Sequence, residues 1–145
     1  MGERTTRKTA GYSGTPLAKK LGLKHDFTIK VLNQPEHYFE LLSGLPTGIR
    51  IVRDSSTKKD VIHYFTTSAS ELRANIRGLK GEMDQNAALW ISWPKKSAKM
   101  QTDLNENVVR DIALKAGLVD VKVCAVDEVW SGLKLVIRLE DRKEK

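Results

Sequence analysis

Short apolar runs alternate with longer amphipathic segments along this chain, and Gly, Pro or polar clusters separate them. The apolar runs have the length of strands, whereas the amphipathic segments show the three-to-four residue spacing of helices with one buried face. The predicted strands are Phe27–Asn33, Ile49–Arg53, Asp60–Thr66, Ala88–Trp93, Val119–Val126 and Leu133–Leu139. Helical segments lie between most of them, so the pattern favours an α/β fold.

The first two predicted helices have characteristic residues at their ends. One covers Thr15–Gly22, with Thr15 as the N-cap, Pro16 in the first helical position and Gly22 beyond the end. The other runs from Pro35 to about Ser43, with Gly44 as its C-cap. The apolar side chains expected to cover one sheet face from this second helix are Tyr38, Phe39, Leu41 and Leu42.

The two later helices are predicted from acidic or hydroxyl caps. Ser68 and Glu71 form a capping box for a helix over Ala69–Lys80, which Gly81 closes. Asp103 and Glu106 predict a second cap, and Gly117 ends the helix that follows. Its expected buried positions are Leu104, Val108, Ile112, Ala113 and Ala116.

The order of these elements predicts a three-layer α/β domain with a mostly parallel sheet of about six strands, covered on both faces. The loop Asp127–Gly132 is too short for a helical crossover, so the last two strands form a hairpin and the C-terminal strand is antiparallel. Only about six residues separate Ile49–Arg53 from Asp60–Thr66. Parallel crossovers usually need a dozen or more residues, so two arrangements are open. Either Ile49–Arg53 is a stub strand with a bare loop return, or the two strands form a hairpin, and we favour the stub.

The length of 145 residues fits one domain, and the net charge of +7 is uneven. We expect a basic, flexible arm at residues 1–10, one domain at 11–140 and a charged tail at 141–145. Five basic residues occur among the first twenty (Arg4, Arg7, Lys8, Lys19 and Lys20), against one acid. The arm could contact nucleic acid, or it could simply be a solubilising terminus. The start lacks the apolar core of a signal peptide and no run approaches ~20 apolar residues, so we expect a cytoplasmic protein with no membrane contact.

Four sequence blocks carry a family resemblance: GYSGTPLAKKLGL, ALWISWPKK, TDLNENVVRDIAL and GLVDVKVCAVDEVWSGLKLVIR. From Gly11 to Arg138 the chain resembles a bacterial family of short proteins known as domain-of-unknown-function family 3052. Its C-terminal part resembles the C-terminal half of the Rossmann-like fold of S-adenosylmethionine-dependent methyltransferases. This part consists of a strand, the helix Asp103–Ala116, a second strand and an antiparallel return strand. The resemblance implies a methyltransferase-like architecture and brings no established activity with it.

The first strand-to-helix corner departs from that architecture, because Asn33-Gln34-Pro35-Glu36-His37 contains no glycine. Glycine lets the main chain approach a cofactor and tolerates positive φ, whereas Pro35 fixes φ and removes a donor. Asp54 follows the second strand, where methyltransferases often place an acid for the ribose, but it is also an ordinary turn residue. We therefore expect the glycine-rich cofactor turn to be lacking and no cofactor to be bound.

Ligands of open α/β sheets bind beyond the carboxyl ends of the strands. The candidate ligand-binding residues at these ends are Asn33, Thr66, Thr67, Trp93, Lys95 and Lys96. The lysines could hold a phosphate or carboxylate, and Trp93 could stack on a base or sugar. The alternative is that Trp93 packs under its own loop while the lysines are solvated.

Glu128 and Trp130, in the loop between the last two strands, are secondary candidates together with Asp54. Asp127 and Glu128 are neighbours on an extended chain and point to opposite sides, which argues against a catalytic dyad. The acids could instead pair with the lysines of the other loop.

The remaining chemistry-bearing residues point to structural roles. His25, His37 and His63 lack the spacing of metal ligands, and His63 lies inside a strand. Cys124 is the only cysteine, and its apolar run Val121–Val126 favours a small buried hydrophobe. No metal site is expected.

Three functional hypotheses follow. The leading one is a non-catalytic, methyltransferase-like domain that binds an anionic small molecule or a macromolecular partner at the carboxyl edge of its sheet. The second is an S-adenosylmethionine-dependent methyltransferase with an atypical cofactor site. The third is a nucleic-acid-binding accessory protein that uses the basic arm. The residues do not define an oligomeric state.

Overall fold

A computed structural model describes residues 15–142, so the expected basic arm and the last three residues of the charged tail lie outside the described residues. The helices are α1 (Leu17–Lys20), α2 (Tyr38–Leu41), α3 (Ala69–Gly81) and α4 (Glu106–Lys115). The strands are β1 (Thr28–Leu32), β2 (Arg50–Ile51), β3 (Lys59–Phe65), β4 (Met83–Pro94), β5 (Leu118–Ala125) and β6 (Trp130–Ile137). Short 3₁₀ turns follow β4 and β6, at Lys96–Ala98 and Leu139–Asp141.

The six strands form one mixed sheet in the order β2-β1-β3-β4-β6-β5. The first four are parallel, and β6 runs antiparallel between β4 and β5. The predicted Rossmann-like fold class is thereby confirmed. The stub strand is confirmed as well, because β2 pairs in parallel with β1 and the chain returns to β3 without a helix.

The two faces of the sheet bury separate apolar clusters, as expected for a sheet covered on both sides. On one face α3 and α4 pack on Ile62, Leu89, Ile91, Trp93 and their neighbours. On the other face α1 and the region of α2 pack on Val61, Phe65, Ala88 and Trp90. Alternate residues of β3 and β4 thus enter different clusters, which is the period of two that a strand imposes.

Several helix ends differ from the prediction. The second helix is one turn rather than the span from Pro35 to Ser43, and Phe39 on it is 46% exposed while Tyr38 and Leu42 are buried. Pro16, not Thr15, is the N-cap of α1. A helix of four residues turns only part of its surface toward the sheet, so Phe39 points to solvent, while Leu41 packs partly on the same cluster as Tyr38 and Leu42.

The caps of α3 and α4 also differ in detail. Asn105 is the N-cap of α4, and its side chain accepts from the main-chain N–H of Val108 at 2.9 Å. Asp103 instead accepts from the N–H of Ala69 at 2.8 Å, in the first turn of α3, whose N-cap is Ser68 as predicted. Gly81 is the last residue of α3 rather than its C-cap. On α4, Val109 is fully buried where the sequence predicted Val108.

Strand β5 is more exposed than its apolar sequence suggests, because it lies at the edge of the sheet. Val121 is 54% exposed and Val123 48%, next to an irregularity in the pairing between Asp120 and Lys122. Cys124 is only half-buried, although burial raises the pKa of its thiol. The prediction of a small buried hydrophobe at Cys124 is therefore confirmed only in part, because the strand that carries it lies at the sheet edge.

A buried ion cluster links the crossover before β3 to the end of α3. The Nζ atoms of Lys30 and Lys59 each lie 2.8 Å from the same Glu82 oxygen, and both donate to the main-chain carbonyl of Asp54. These hydrogen bonds lower the pKa of the Glu82 carboxyl, against the raising effect of its burial. None of the helices within residues 15–142 combines the length and hydrophobicity of a membrane-spanning segment.

Candidate functional site

The strand order changes direction at β1 and β3, and this switch point is where an open α/β sheet binds its ligand. Asn33, directly after β1, has a φ of 59°, so the corner does adopt the left-handed conformation that the sequence seemed unable to provide. Asn is one of the few residues that tolerates this region. Its side-chain Nδ2 donates to the main-chain carbonyl of Phe65 at 3.1 Å and so spans the ends of β1 and β3.

Asp54 lies in the crossover after β2 and organises a turn. Its Oδ2 accepts from the Ser56 hydroxyl and from both the N–H and the hydroxyl of Thr57. The hydrogen bonds from Thr57 and Ser56 lower the pKa of the Asp54 carboxyl to about 2. This carboxylate is thus occupied by its own turn, in the manner of an Asx-turn residue.

Trp93, Lys95 and Lys96 meet at the carboxyl end of β4, in an open groove of about 560 Å³ that we call the β4–α4 groove. Its other walls come from the segment that leads into α4, and from β6 through Ser131. Lys96 is exposed and Lys95 is half-buried. The structure therefore brings together three of the six predicted ligand-binding residues.

The segment between β4 and α4 is held over the sheet edge by specific contacts. The N–H of Lys95 donates to the carbonyl of Val129 at 2.7 Å, which fixes the start of the segment to the β5–β6 loop. Thr102 donates its hydroxyl to the carbonyl of Thr67 at 2.7 Å, and the contact of Asp103 with Ala69 follows. These contacts hold both ends of the segment, which brings Lys95 and Lys96 to one side of the groove and the amino end of α4 to the other.

The electrostatics of the β4–α4 groove combine both signs. Lys95 and Lys96 supply cations, and the partial positive charge at the amino end of α4 adds to them. Glu106 lines the groove as well, but it forms an ion pair with Arg110 and Arg110 also pairs with Asp120. Asp103 lines the groove too and stays negatively charged while it accepts from the Ala69 N–H, so the two lysines share the groove with two carboxylates.

Trp93 is 5% exposed and belongs to the core cluster beneath α3 and α4. It forms the floor of the groove and presents little of its ring, because the sheet face on which it sits is covered. Stacking a base on this indole would require the segment from Lys95 to Leu104 to move. The geometry matches the alternative in which the tryptophan packs under its own loop.

The other three predicted ligand-binding residues lie outside this groove. Thr66 is buried and donates its hydroxyl to Glu71 at 2.6 Å. Thr67 borders a shallow depression with Ser68 and Thr102. Asn33 borders a third groove, along α3.

The secondary candidates of the β5–β6 loop also separate. Glu128 is exposed, and the half-buried Trp130 packs edge-to-face on Phe65 with ring centres 5.1 Å apart. Asp127 is 7% exposed, and its Oδ1 accepts from the N–H groups of Val129 and Trp130. Its role is to cap the loop.

Two histidine contacts were not predicted from the sequence. His37 Nε2 lies 2.8 Å from Asp127 Oδ2, which joins residues 90 positions apart in the chain. His63 is buried between the Tyr38 hydroxyl at 2.9 Å and the Ser92 hydroxyl at 2.8 Å. Burial lowers the pKa of His63 to about 3, so the neutral ring fills a structural role. Within residues 15–142 no group of three or more His, Cys, Asp or Glu side chains could hold a metal ion.

Lys20 does not behave as part of a basic arm. It is 9% exposed, and its Nζ donates to the carbonyl of Ala125 at 2.6 Å. Burial lowers the pKa of this ammonium. The positive charge at this position belongs to the folded domain, where it ties α1 to the end of β5.

Comparison with known proteins identifies the fold. No protein-family model matches this chain, and no curated protein matches it significantly. A SAM-dependent methyltransferase from Aquifex aeolicus is similar over 84% of this chain and 88% of its own, with a TM-score of 0.58 and 17% identity. The magnesium protoporphyrin IX methyltransferase of Synechocystis, solved with bound SAM, gives a TM-score of 0.54 at 14% identity, over 84% of this chain and 74% of its own.

A further similar structure comes from Bordetella parapertussis and is described as a possible exported protein. It gives a TM-score of 0.62 at 10% identity, and the match covers 83% of this chain and 65% of that one. At these identities the likeness is one of fold. The chain has a methyltransferase-like Rossmann fold with a mixed sheet of six strands.

Proposed function

We propose that this chain is a non-catalytic, methyltransferase-like domain that binds an anionic small molecule in the β4–α4 groove. The observation that carries the proposal is the convergence of Lys95, Lys96 and the amino end of α4 on one groove at the carboxyl edge of the sheet. Lysine is a common ligand of phosphate and carboxylate groups, and a helix amino end favours negative charge.

The switch point supports a domain without the usual cofactor. The Asn33 side chain spans the ends of β1 and β3, and the Asp54 carboxylate is engaged in its own turn. An adenosyl group placed here would have to displace the hydrogen bond of Asn33 and compete with the turn for the carboxylate of Asp54. A macromolecular partner with an exposed acidic group is the other ligand that the same lysines would accept.

Titration of the full chain with inorganic phosphate at constant ionic strength tests the groove. We expect amide shifts in a ¹H–¹⁵N spectrum at Lys95, Lys96 and the first turn of α4. The double variant K95Q/K96Q should lose most of this response. The control K24Q/K122Q removes two exposed lysines elsewhere, so it has the same net charge and should respond as the parent does. Equal affinity in K95Q/K96Q and the parent would rule out the proposal.

The alternative of a methyltransferase with an atypical cofactor site is favoured by the fold alone. Isothermal titration with S-adenosylmethionine discriminates between the two, because micromolar binding would support the enzyme. The third hypothesis, a nucleic-acid accessory protein, depends on the basic arm. Deletion of residues 1–10 should then weaken binding, and affinity should fall by roughly 0.9 log unit per log of salt for each phosphate contact on B-DNA.

We also propose that the chain belongs to the bacterial family of short proteins it resembles, on the strength of the four sequence blocks between Gly11 and Arg138. The domain limits 11–140 are part of the same proposal.

A further inference from the structure

The groove that Asn33 borders has a volume of about 340 Å³ and follows the flank of α3 that lies away from α4. We call it the α3-flank groove. Glu71, Asn75, Gly78 and Glu82 line it from the helix, and Leu32 lines it from β1. It shares no residue with the β4–α4 groove.

The topology explains why this flank is open. A parallel sheet is normally covered by helices on both faces. Here the connection from β1 to β2 places Tyr38 and Leu42 on the opposite face, and the return from β2 to β3 contains no helix. Within residues 15–142, α3 is therefore the last helix on its face, and the neighbouring surface of β1 has no helix of its own.

Gly78 keeps the groove wide. Glycine in the interior of a helix costs about 1 kcal/mol relative to alanine. A Cβ added at Gly78 would meet no atom within 4 Å, and the residue does not need a positive φ. Neither packing nor backbone conformation explains this glycine, whereas an occupant of the groove would.

Each of the two asparagines at the groove uses one side-chain N–H on the protein. Asn75 donates to the Tyr64 hydroxyl at 2.9 Å, and Asn33 donates to the carbonyl of Phe65. Their amide oxygens have no donor among the described residues. The Glu71 carboxylate accepts from Thr66, and burial together with this carboxylate raises the pKa of the Tyr64 hydroxyl. A carboxylate has about four lone-pair sites, so Glu71 and the two amide oxygens still present acceptors to a ligand, beside one remaining N–H on each asparagine.

The charge of the α3-flank groove determines which hydrogen-bond donors would bind there. Glu82 faces Lys30 and Lys59 at 2.8 Å each, so its charge is compensated. Glu71 has no Lys, Arg or His within ion-pair distance among residues 15–142. One negative charge therefore remains, beside apolar wall from Leu32 and Leu79.

From this arrangement we propose that the α3-flank groove binds a small primary alkylamine, with its ammonium group at Glu71. An ammonium has three donors and no acceptor, which matches the carboxylate of Glu71 and the amide oxygens of Asn33 and Asn75. The short hydrocarbon body would lie toward Gly78, against the leucines.

The test is a ¹H–¹⁵N titration of the full chain with butylamine hydrochloride, beside a parallel titration with 1-butanol at constant ionic strength. We expect saturable shifts of the Asn75 and Gly78 amides with the amine alone. Glu71→Gln should weaken this binding by about tenfold or more, as expected for loss of a charge-assisted contact. The control Glu40→Gln removes an exposed carboxylate from α2 and should leave the binding unchanged.

Two variants of Gly78 separate binding from folding. Gly78→Ala should raise the melting temperature, because alanine is the better helix former and has room. Gly78→Leu should fill the groove and abolish the amine response while the remainder of the spectrum is retained. Equal responses to butanol and butylamine, an unaffected Glu71→Gln, or no shift at Gly78 would each overturn the proposal; if Gly78→Leu does not fold, the Glu71→Gln comparison decides alone.

Discussion

The side-chain amide of Asn33 donates to the main-chain carbonyl of Phe65 at 3.1 Å, from a backbone with a φ of 59°. One residue thus supplies both the left-handed corner and a polar tie between the carboxyl ends of β1 and β3. A glycine would provide the first property without the second. The switch point between β1 and β3 is therefore closed by a hydrogen bond within the protein itself.

Substitution of Asn33 should separate these two contributions. Asn33→Gly loses the hydrogen bond but adopts the left-handed region easily, and should cost about 0.5–1.5 kcal/mol of unfolding free energy. Asn33→Ala loses the same bond and keeps a Cβ in the left-handed region without the polar side chain that lets Asn adopt it, so it should cost about 1 kcal/mol more than the glycine variant. Urea denaturation at neutral pH measures both. If the alanine variant were as stable as the glycine variant, the left-handed corner would not be present in solution.

The buried His63 predicts a loss of stability in mild acid. Its pKa is about 3 in the folded protein and 6.5 in the unfolded chain, so below pH 6.5 the unfolded state binds the proton first. Stability should therefore fall as the pH drops from 6.5 toward 3, by about 2 kcal/mol at pH 5. Glu82 and Asp120 have lowered pKa values in the folded protein. Their protonation reduces stability only when the pH falls below their unfolded pKa values, near 4.

Urea denaturation at pH 7, 6 and 5 measures this slope. The variant His63→Gln, compared with itself across the same range, should show a flat profile whatever its absolute stability. A parent profile that is already flat between pH 7 and 5 would contradict the assignment of a buried neutral ring.

Removal of the shared carboxylate in the ion cluster should be costly. Glu82→Gln leaves Lys30 buried without a counter-charge among the described residues and Lys59 with only the Asp54 carboxylate at 3.8 Å, and we expect a loss of about 3–5 kcal/mol. Lys30→Met removes one cation and leaves the Lys59–Glu82 pair intact, so it should cost clearly less. Chemical denaturation of the two variants gives the order, and equal costs would mean that the Lys59–Glu82 pair contributes nothing measurable.

Gly132 should not accept a side chain. A Cβ there would lie 3.3 Å from both Trp90 and Val126 and 3.4 Å from the Ser92 hydroxyl. Gly132→Ala should therefore destabilise the protein by about 1–3 kcal/mol, as overpacking does in a core. Gly81→Ala is a matched control, since nothing lies within 4 Å of its added Cβ. In thermal unfolding, only Gly132→Ala should have a lower melting temperature than the parent protein.

The periodic segments of the sequence were sufficient to predict most of the fold. The apolar runs and the caps gave the order of strands and helices and the stub nature of β2, because these depend on neighbours in the chain. The length of α2 was overestimated, because Pro35 and Gly44 mark the ends of a connection in which the helix itself occupies only one turn. The exposure of Val121 and Val123 could not be predicted, because an edge strand and a central strand can have the same composition.

The site was harder to predict because its contacts join distant residues. The grouping of Trp93, Lys95 and Lys96 follows from their adjacency in sequence, but the burial of Trp93 depends on α3 and α4. The pairing of His37 with Asp127 and the sharing of Glu82 by two lysines have no local pattern. Of these residues only Lys30 leaves a trace in the sequence, as a charged residue within an otherwise apolar run.

The place of β6 between β4 and β5 has a consequence for how the protein is made. The ribosome delivers β5 before β6, yet β5 pairs with β6 and not with β4. Without β6 the edge of β4 is unpaired, and such edges invite association with other chains. A variant that ends at Ala125 should therefore be bound by chaperones, whereas a chain that extends through Ile137 should not.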